Sequence, residues 1–166
     1  EPSMDFDWIR VRLSGLYASG DDCFLGLRGL RTLSVRLARH QENGLKLARW
    51  LKARGEVARV VPPALEGDPG HALWKRDFKG ASGLFAIELK PVSHERFAAF
   101  IDGLKLFGIG YSWGAYESLI VPAKIHRTAR AFPAAGPVLR IHAGLEDGDD
   151  LIQDLAQGFA RMNGDG

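Results

Sequence analysis

Four residues carry the groups in this chain that are best suited to holding a small anion. Ser112 and Trp113 offer a hydroxyl and an indole N–H directly after Tyr111, at the end of an apolar run. Arg140 stands in the middle of a strand-like alternation, and its guanidinium can pair with a carboxylate through two parallel hydrogen bonds. Together these residues predict a binding site for the carboxylate of a small molecule.

Each of these residues also has an ordinary structural interpretation. An arginine in an apolar strand is most often an edge residue that reaches water, or one half of an ion pair. Ser112 could be a catalytic nucleophile, but no Gly-x-Ser-x-Gly sequence surrounds it and no base is placed to activate it. Trp113 and Tyr116 could be core aromatics. Carboxylate binding remains the favoured interpretation because the candidate donors occur together.

Other kinds of site find little support in the sequence. The five histidines show no metal-ligand spacing, and the single Cys23 adds no second thiolate, so we expect no metal site. Gly26 and Gly29 do not form a dinucleotide-binding fingerprint, because no strand precedes them. The basic segment 28–59 could face a nucleic acid but is more typical of a solvated helix surface. No residue is placed to act as a catalyst.

The overall composition is that of one globular domain. The 166 residues are 46% hydrophobic, enough for one core, and the net charge of +2 is too small to demand a polyanionic partner. Because Cys23 cannot form an internal disulfide, we expect a reducing, cytoplasmic location. We expect no secretory signal, and no apolar run approaches the roughly 20 residues that span a bilayer.

The elements that must position the four residues follow from the hydrophobic spacing. Apolar residues predict one long helix between Asp21 and Gly55, a helix capped by Ser93 and a last helix that begins at Glu146-Asp147. Alternation predicts four strands, at 56–61, 84–90, 107–111 and 138–142. A long loop is expected over 62–82. This order predicts an α+β two-layer domain, with an about four-stranded, mainly antiparallel sheet and helices on one face.

The alternation also predicts where Arg140 points. On the last strand, Arg140 shares a face with Val138 and His142, opposite the apolar face that the helices would cover. Gly108, Gly110 and Ser112 share a face of the preceding strand, which leaves that surface bare. We therefore expect an open sheet face that forms the floor of a pocket.

Several segments in the right order resemble the Cys/Met-metabolism PLP-dependent enzymes. The resemblance is carried by Leu27-Arg28-Gly29-Leu30-Arg31-Thr32-Leu33, Trp74-Lys75-Arg76-Asp77-Phe78, Gly80-Ala81-Ser82-Gly83-Leu84-Phe85, Ser112-Trp113-Gly114 with Glu117-Ser118-Leu119, and Leu139-Arg140-Ile141-His142 with Gly144-Leu145-Glu146-Asp147. The triplet at 111–113 is most similar to the cystathionine β-lyase branch, whereas the related γ-lyases and γ-synthases usually carry Ser-Leu-Gly there. Ala115 departs from the usual glycine.

The resemblance implies a function and a set of site residues. It implies β-elimination of cystathionine to homocysteine, pyruvate and ammonia in methionine biosynthesis by transsulfuration, with pyridoxal 5'-phosphate (PLP) as cofactor and a cytoplasmic homotetramer as the assembly. Ser112, Trp113 and Arg140 would hold the substrate α-carboxylate, and Tyr111 would line the same pocket. A γ-lyase or γ-synthase of the same family, or a non-catalytic binding or dimerisation module, remains an alternative.

The resemblance also implies a division of the protein. The matched segments belong to the C-terminal (small) domain of a fold-type I PLP enzyme, which would occupy 21–166 after a linker or added arm at 1–20. No lysine here matches the family's Schiff-base lysine, so the catalytic lysine and the PLP-binding residues are expected in a large domain absent from this chain. The chain alone would then be inactive.

Overall fold

A computed structural model describes residues 11, 13–15, 17–125, 127–129 and 132–165. The chain divides into two compact units, Glu1–Ser34 and Val35–Gly166. Of the arm expected at 1–20, residues 1–10, 12 and 16 lie outside the described residues. Within the described ranges, every helix is too short or too polar to serve as a membrane-spanning segment.

The expected long helix is two helices. Helix α1 spans Gly20–Arg31 and is capped by Ser19, whose hydroxyl accepts the amide of Asp22 while the Asp22 carboxylate accepts the amide of Ser19. This reciprocal pair satisfies two amides that the first turn leaves unpaired. The helix ends where Thr32 turns its amide back to the carbonyls of Gly29 and Leu30. Helix α2 then spans Leu33–Lys52.

The sheet has five strands among the described residues, one more than the sequence predicted. They are β1 Val57–Val61, β2 Leu84–Leu89, β3 Gly108–Ile109, β4 Leu119–Pro122 and β5 Val138–His142. Their order is β1-β2-β5-β4-β3, and all neighbours are antiparallel except β3 and β4. Strand β4 was missed because its four residues show no polar alternation and end in proline, which is rare inside strands.

Three further helices complete the described structure: α3 His71–Asp77, α4 His94–Asp102 and α5 Gly148–Asn163. The prediction of a long loop over 62–82 was wrong in part, since α3 lies within it. The predicted cap of α4 is confirmed, because the Ser93 hydroxyl accepts the amide of Arg96. The start of α5 is also confirmed, with Asp147 as its N-cap.

Helices α2, α4 and α5 supply the side chains that bury one face of the sheet. The fully buried residues include Leu47 of α2, Phe100 of α4 and Phe159 of α5, together with Ile87 and Ile141 of the sheet. Burying a side chain of this size stabilises the fold by roughly 1.5–3 kcal/mol. Helix α2 passes close to the chain before β2. A Cβ on Gly44 would lie only 3.2 Å from the Cα of Gly83, so glycine permits this approach.

The opposite face of the sheet is not open along its whole length, contrary to the prediction. Val138 and His142 are both buried, and only Arg140 between them is partly exposed. His40 of α2 covers His142 at one end, with ring centroids 4.9 Å apart. At the other end, the segment before β5 closes over Glu88, whose carboxylate accepts the amide of Ala135. On β5, the free part of this face is therefore the region around Arg140.

Candidate functional site

Arg140 occupies the middle of the sheet. Its strand β5 is third in an order of five, so Arg140 is not an edge residue. Its side chain is partly buried, yet none of the ion pairs among the described residues includes it. Removing a charge partly from water without a partner costs free energy. Both ordinary explanations for a strand arginine therefore fail here.

The guanidinium of Arg140 holds the backbone that leads into the Tyr-Ser-Trp loop (residues 110–118). Its Nη2 donates to the carbonyl of Tyr111 and, at 3.5 Å, to that of Gly110. The guanidinium carbon lies 5.7 Å from the centroid of the Tyr111 ring. All the hydrogen bonds that the guanidinium makes to described residues come from Nη2. The N–H groups of Nη1 and Nε are therefore free, and a two-pronged pair with a carboxylate would use one of these atoms together with an N–H of Nη2, because Nη1 and Nε do not share an edge of the guanidinium.

Ser112 and Trp113 lie in the Tyr-Ser-Trp loop and not on a strand. Strand β3 ends at Ile109, so the prediction that Gly110 and Ser112 continue its alternation was wrong. Strand β4 also separates β3 from β5, so β3 does not lie beside the strand of Arg140 as expected. Tyr111 and Trp113 are 75% and 62% exposed. The hydroxyl of Ser112 has no hydrogen-bond partner within the part of the chain that the structure describes.

Two buried histidines hold the middle of the Tyr-Ser-Trp loop. His142 Nε2 accepts the amide of Gly114 at 3.0 Å, and His40 Nε2 donates to the carbonyl of Ala115 at 2.9 Å. Gly114 has φ of +83°, a left-handed conformation that glycine adopts without a Cβ clash. The histidines and the glycine together turn the chain directly after Trp113.

A buried network fixes the end of the same loop. The Glu146 carboxylate accepts the amide and the hydroxyl of Ser118 at 2.7 and 2.8 Å. The Ser118 oxygen in turn accepts the amide of Gly144 at 2.8 Å. Asn43 of α2 donates to the carbonyls of Gly144 and Glu146, both at 2.9 Å. The loop is thus tied to β5, to the start of α5 and to α2.

An open hollow of about 540 Å³ lies beside Arg140. Arg140, Tyr111 and Lys124 give its polar lining, and Phe97, Val121 and Val138 are among its apolar walls. Of the four predicted site residues, the structure brings Arg140 and Tyr111 together at this hollow. Ser112 and Trp113 are next to it along the chain but do not line it.

The hollow suits a carboxylate better than it suits PLP. Its single lysine, Lys124, is exposed, whereas holding PLP requires a lysine that attacks the cofactor aldehyde and a cradle of amides for its phosphate. The unpaired guanidinium of Arg140 matches a carboxylate in charge and geometry. Within the described ranges, no cluster of three or more His, Cys, Asp or Glu residues could hold a metal ion.

Reasoning from sequence missed the residues that anchor the loop. His40, Asn43, Ser118 and Glu146 were given no role in the site, although they lie far apart in the chain and meet around it. One signal was available for His142, which is a polar residue at the end of an apolar strand. No local pattern could pair Asn43 with Gly144, because 101 positions separate them.

Comparison with known proteins gives matches over most of the chain. A profile of the family described as Cys/Met metabolism PLP-dependent enzyme matches residues 6–160. A cystathionine β-lyase from Salmonella typhimurium is 49% identical over 165 residues, covering 93% of this chain and 42% of the relative. An L-alanine/L-glutamate racemase from Wolbachia pipientis is 43% identical, covering 89% of this chain and 38% of the relative.

Solved structures agree with the sequence matches. A cystathionine γ-synthase from Xanthomonas oryzae pv. oryzae, solved in complex with cystathionine, has a TM-score of 0.78 and 38% identity. The match covers 92% of this chain and 41% of that structure. The chain therefore spans about two fifths of the length of the relatives it matches. These shares do not support the C-terminal position that the resemblance implied.

Proposed function

Because this chain belongs to the Cys/Met metabolism PLP-dependent enzyme family, we propose that it is part of a carbon–sulfur lyase. The proposed reaction is the β-elimination of cystathionine, with consumption of one water, to homocysteine, pyruvate and ammonia. The observation that carries the role of this chain is the partly buried, unpaired Arg140 on the central strand, beside an open hollow. In the proposal, Arg140, Ser112 and Trp113 bind the substrate α-carboxylate, and Tyr111 forms a wall beside it.

The contribution of these residues is binding and orientation. A carboxylate in the hollow would accept hydrogen bonds from the free N–H groups of Arg140. If the bound substrate also contacts the Tyr-Ser-Trp loop, Ser112 and Trp113 would come within hydrogen-bonding distance of the same carboxylate. Holding the carboxylate fixes the direction of the substrate Cα–H bond, which proton transfer requires. PLP supplies the electron sink for such eliminations. The residues described here do not fit PLP itself, so no step is assigned to them on the cofactor.

The rest of the proposal concerns the whole protein. We place the PLP-binding lysine in a large domain outside this chain, with 1–20 as a linker and 21–166 as the small domain. The chain alone would then form no pyruvate from cystathionine. The full-length protein is proposed to be a cytoplasmic homotetramer, and light scattering after size-exclusion chromatography would measure its mass. A dimer or monomer would contradict the tetramer.

The experiment that tests the carboxylate site is Arg140→Leu in the full-length enzyme. Each charge-assisted hydrogen bond contributes roughly 1.5–3 kcal/mol, so losing two predicts a fall in kcat/KM of at least a hundredfold. Arg140→Lys keeps the charge without the two-pronged geometry, so its kcat/KM should lie between those of the unmodified enzyme and Arg140→Leu. Arg76→Leu is the matched control, since Arg76 is exposed on α3 and, among the described residues, pairs only with its neighbour Asp77. Unchanged turnover in Arg140→Leu would refute the proposed site.

Product analysis tests the reaction. Pyruvate and homocysteine from cystathionine support β-elimination, whereas cysteine and 2-oxobutyrate would indicate a γ-lyase. The alternative of a γ-synthase is favoured by the structural likeness to the Xanthomonas enzyme, and formation of cystathionine from cysteine and an activated homoserine would detect it. Because a racemase is also among the relatives, the enantiomers of alanine and glutamate are measured in parallel. Racemisation without pyruvate would overturn the lyase assignment.

A further inference from the structure

Two alternate residues of one strand hold both sides of the segment that contains Ser112 and Trp113. Arg140 bonds the carbonyl of Tyr111, just before this pair, and His142 bonds the amide of Gly114, just after it. Arg140 and His142 lie on the same face of β5, because side chains alternate along a strand. The backbone on both sides of the exposed Ser112 and Trp113 is therefore hydrogen-bonded to strand β5.

The hydrogen bond to Gly114 fixes the protonation state of His142. A backbone N–H can only donate, so Nε2 of His142 must be the unprotonated nitrogen. The neutral ring then carries its proton on Nδ1, which is buried without a hydrogen-bond partner among the described residues. His142 is only 2% exposed, so water does not readily replace the Gly114 amide. A protonated ring would present N–H groups at both nitrogens and could no longer accept.

His40 completes the arrangement from helix α2. The Ala115 carbonyl can only accept, so Nε2 of His40 carries a proton and donates to it at 2.9 Å. The two imidazoles meet edge to face, with an interplanar angle of 76°. The peptide groups at 113–114 and 115–116 are thus held by one accepting and one donating histidine. The two bonds flank the peptide between Gly114 and Ala115 and so restrain the turn there.

We propose that His142, supported by His40, is a positioning residue that holds Ser112 and Trp113 in place for the substrate carboxylate and makes substrate affinity depend on pH. The inference deepens the proposed function and rests on it. His142 does not touch the substrate, since it is buried beneath the loop. It acts through the Gly114 amide, and the left-handed turn at Gly114 passes that constraint to Trp113.

The direction of the pH dependence follows from the surroundings of His142. Burial lowers the pKa of His142; the nearby His40 and Arg140 also lower this pKa, whereas the Ala115 carbonyl and Glu146 act in the opposite direction. The ring is therefore neutral at neutral pH, and the bond to Gly114 is intact. As the pH falls through the lowered pKa, protonation breaks this bond. Substrate affinity should weaken at acid pH for that reason.

The test compares three variants of the full-length, PLP-loaded enzyme. His142→Phe removes the acceptor while filling the space, and we expect KM for cystathionine to rise about tenfold with a smaller change in kcat. His142→Gln places a carbonyl oxygen near the position of Nε2 and should recover most of the affinity while losing the acid-side rise in KM. His94→Gln is the control, because His94 is exposed at the start of α4.

Two outcomes would overturn the inference. One is a His142→Phe enzyme with a lower melting temperature but an unchanged KM, which would assign His142 a purely structural role. The other is an acid-side rise in KM that persists unchanged in His142→Gln. Arg140→Leu is measured in the same series to separate this inference from the proposed function. Loss of affinity in Arg140→Leu without any effect in His142→Phe would leave the carboxylate site intact and refute only the role of His142.

Discussion

Ser118 offers the sharpest test of how the Tyr-Ser-Trp loop is held in place. Its hydroxyl group donates to Glu146 and accepts from the amide of Gly144, and only 1% of the residue is exposed. Ser118→Ala removes both bonds and leaves the Gly144 amide without its acceptor. The backbone bond from the Ser118 amide to Glu146 is retained, so the substitution isolates the hydroxyl.

The expected cost follows from these two bonds. A neutral hydrogen bond contributes about 1 kcal/mol, and one to an ionised carboxylate contributes roughly 1.5–3 kcal/mol. Alanine is smaller than serine, so the substitution adds no steric clash. Local relaxation recovers part of the lost free energy. We therefore expect the free energy of unfolding to fall by about 2–4 kcal/mol.

Urea denaturation followed by fluorescence would measure this loss, with Ser112→Ala as the matched control. The hydroxyl of Ser112 is exposed and has no partner in the described structure, so its removal should change stability by less than about 0.5 kcal/mol. The kinetic effect should differ from the effect on stability. Ser112→Ala should raise KM for cystathionine, because it removes a proposed donor to the substrate. Equal stabilities for the two variants would refute the network as the anchor of the loop.

Three further predictions test the core, the turn and the buried histidine. Phe159→Ala, at a fully buried position whose ring centroid is 4.7 Å from that of Phe100, should reduce the free energy of unfolding by about 3–5 kcal/mol in urea denaturation. Gly114→Ala should cost roughly 1–2 kcal/mol through its φ of +83° and raise KM for cystathionine, and an unchanged melting temperature would contradict that strain. The pKa of His142 in the folded protein lies below the ordinary value of 6.5. His142 should therefore stabilise the fold above pH 6.5, and this contribution should be lost as the pH falls below 6.5 through the lowered pKa. An identical pH series of melting temperatures in His142→Gln would contradict this prediction.

Much of the fold could be predicted because it depends on neighbours in the chain. The alternation in 84–89 and 138–142 marks strands, and the Ser93 cap marks the start of α4. The apolar stripe of α5 likewise predicts a buried helix face. These signals have periods of two or three to four residues, so a short window of sequence contains them. Strand β4 lacked such a signal and was missed.

The sequence alone determined which chemistry is present: a guanidinium within an apolar strand, and a hydroxyl and an indole N–H next to a glycine. It did not determine how they meet. The insertion of β4 between β3 and β5, the central place of Arg140 and the absence of a carboxylate partner for it among the described residues were decided by the tertiary structure. Strand order and the meeting of Asn43, His40 and Glu146 around one loop depend on packing and hydrogen bonding between distant segments. Residue type and spacing are local properties, whereas an unpaired charge at the centre of a sheet exists only once those distant segments have closed around it.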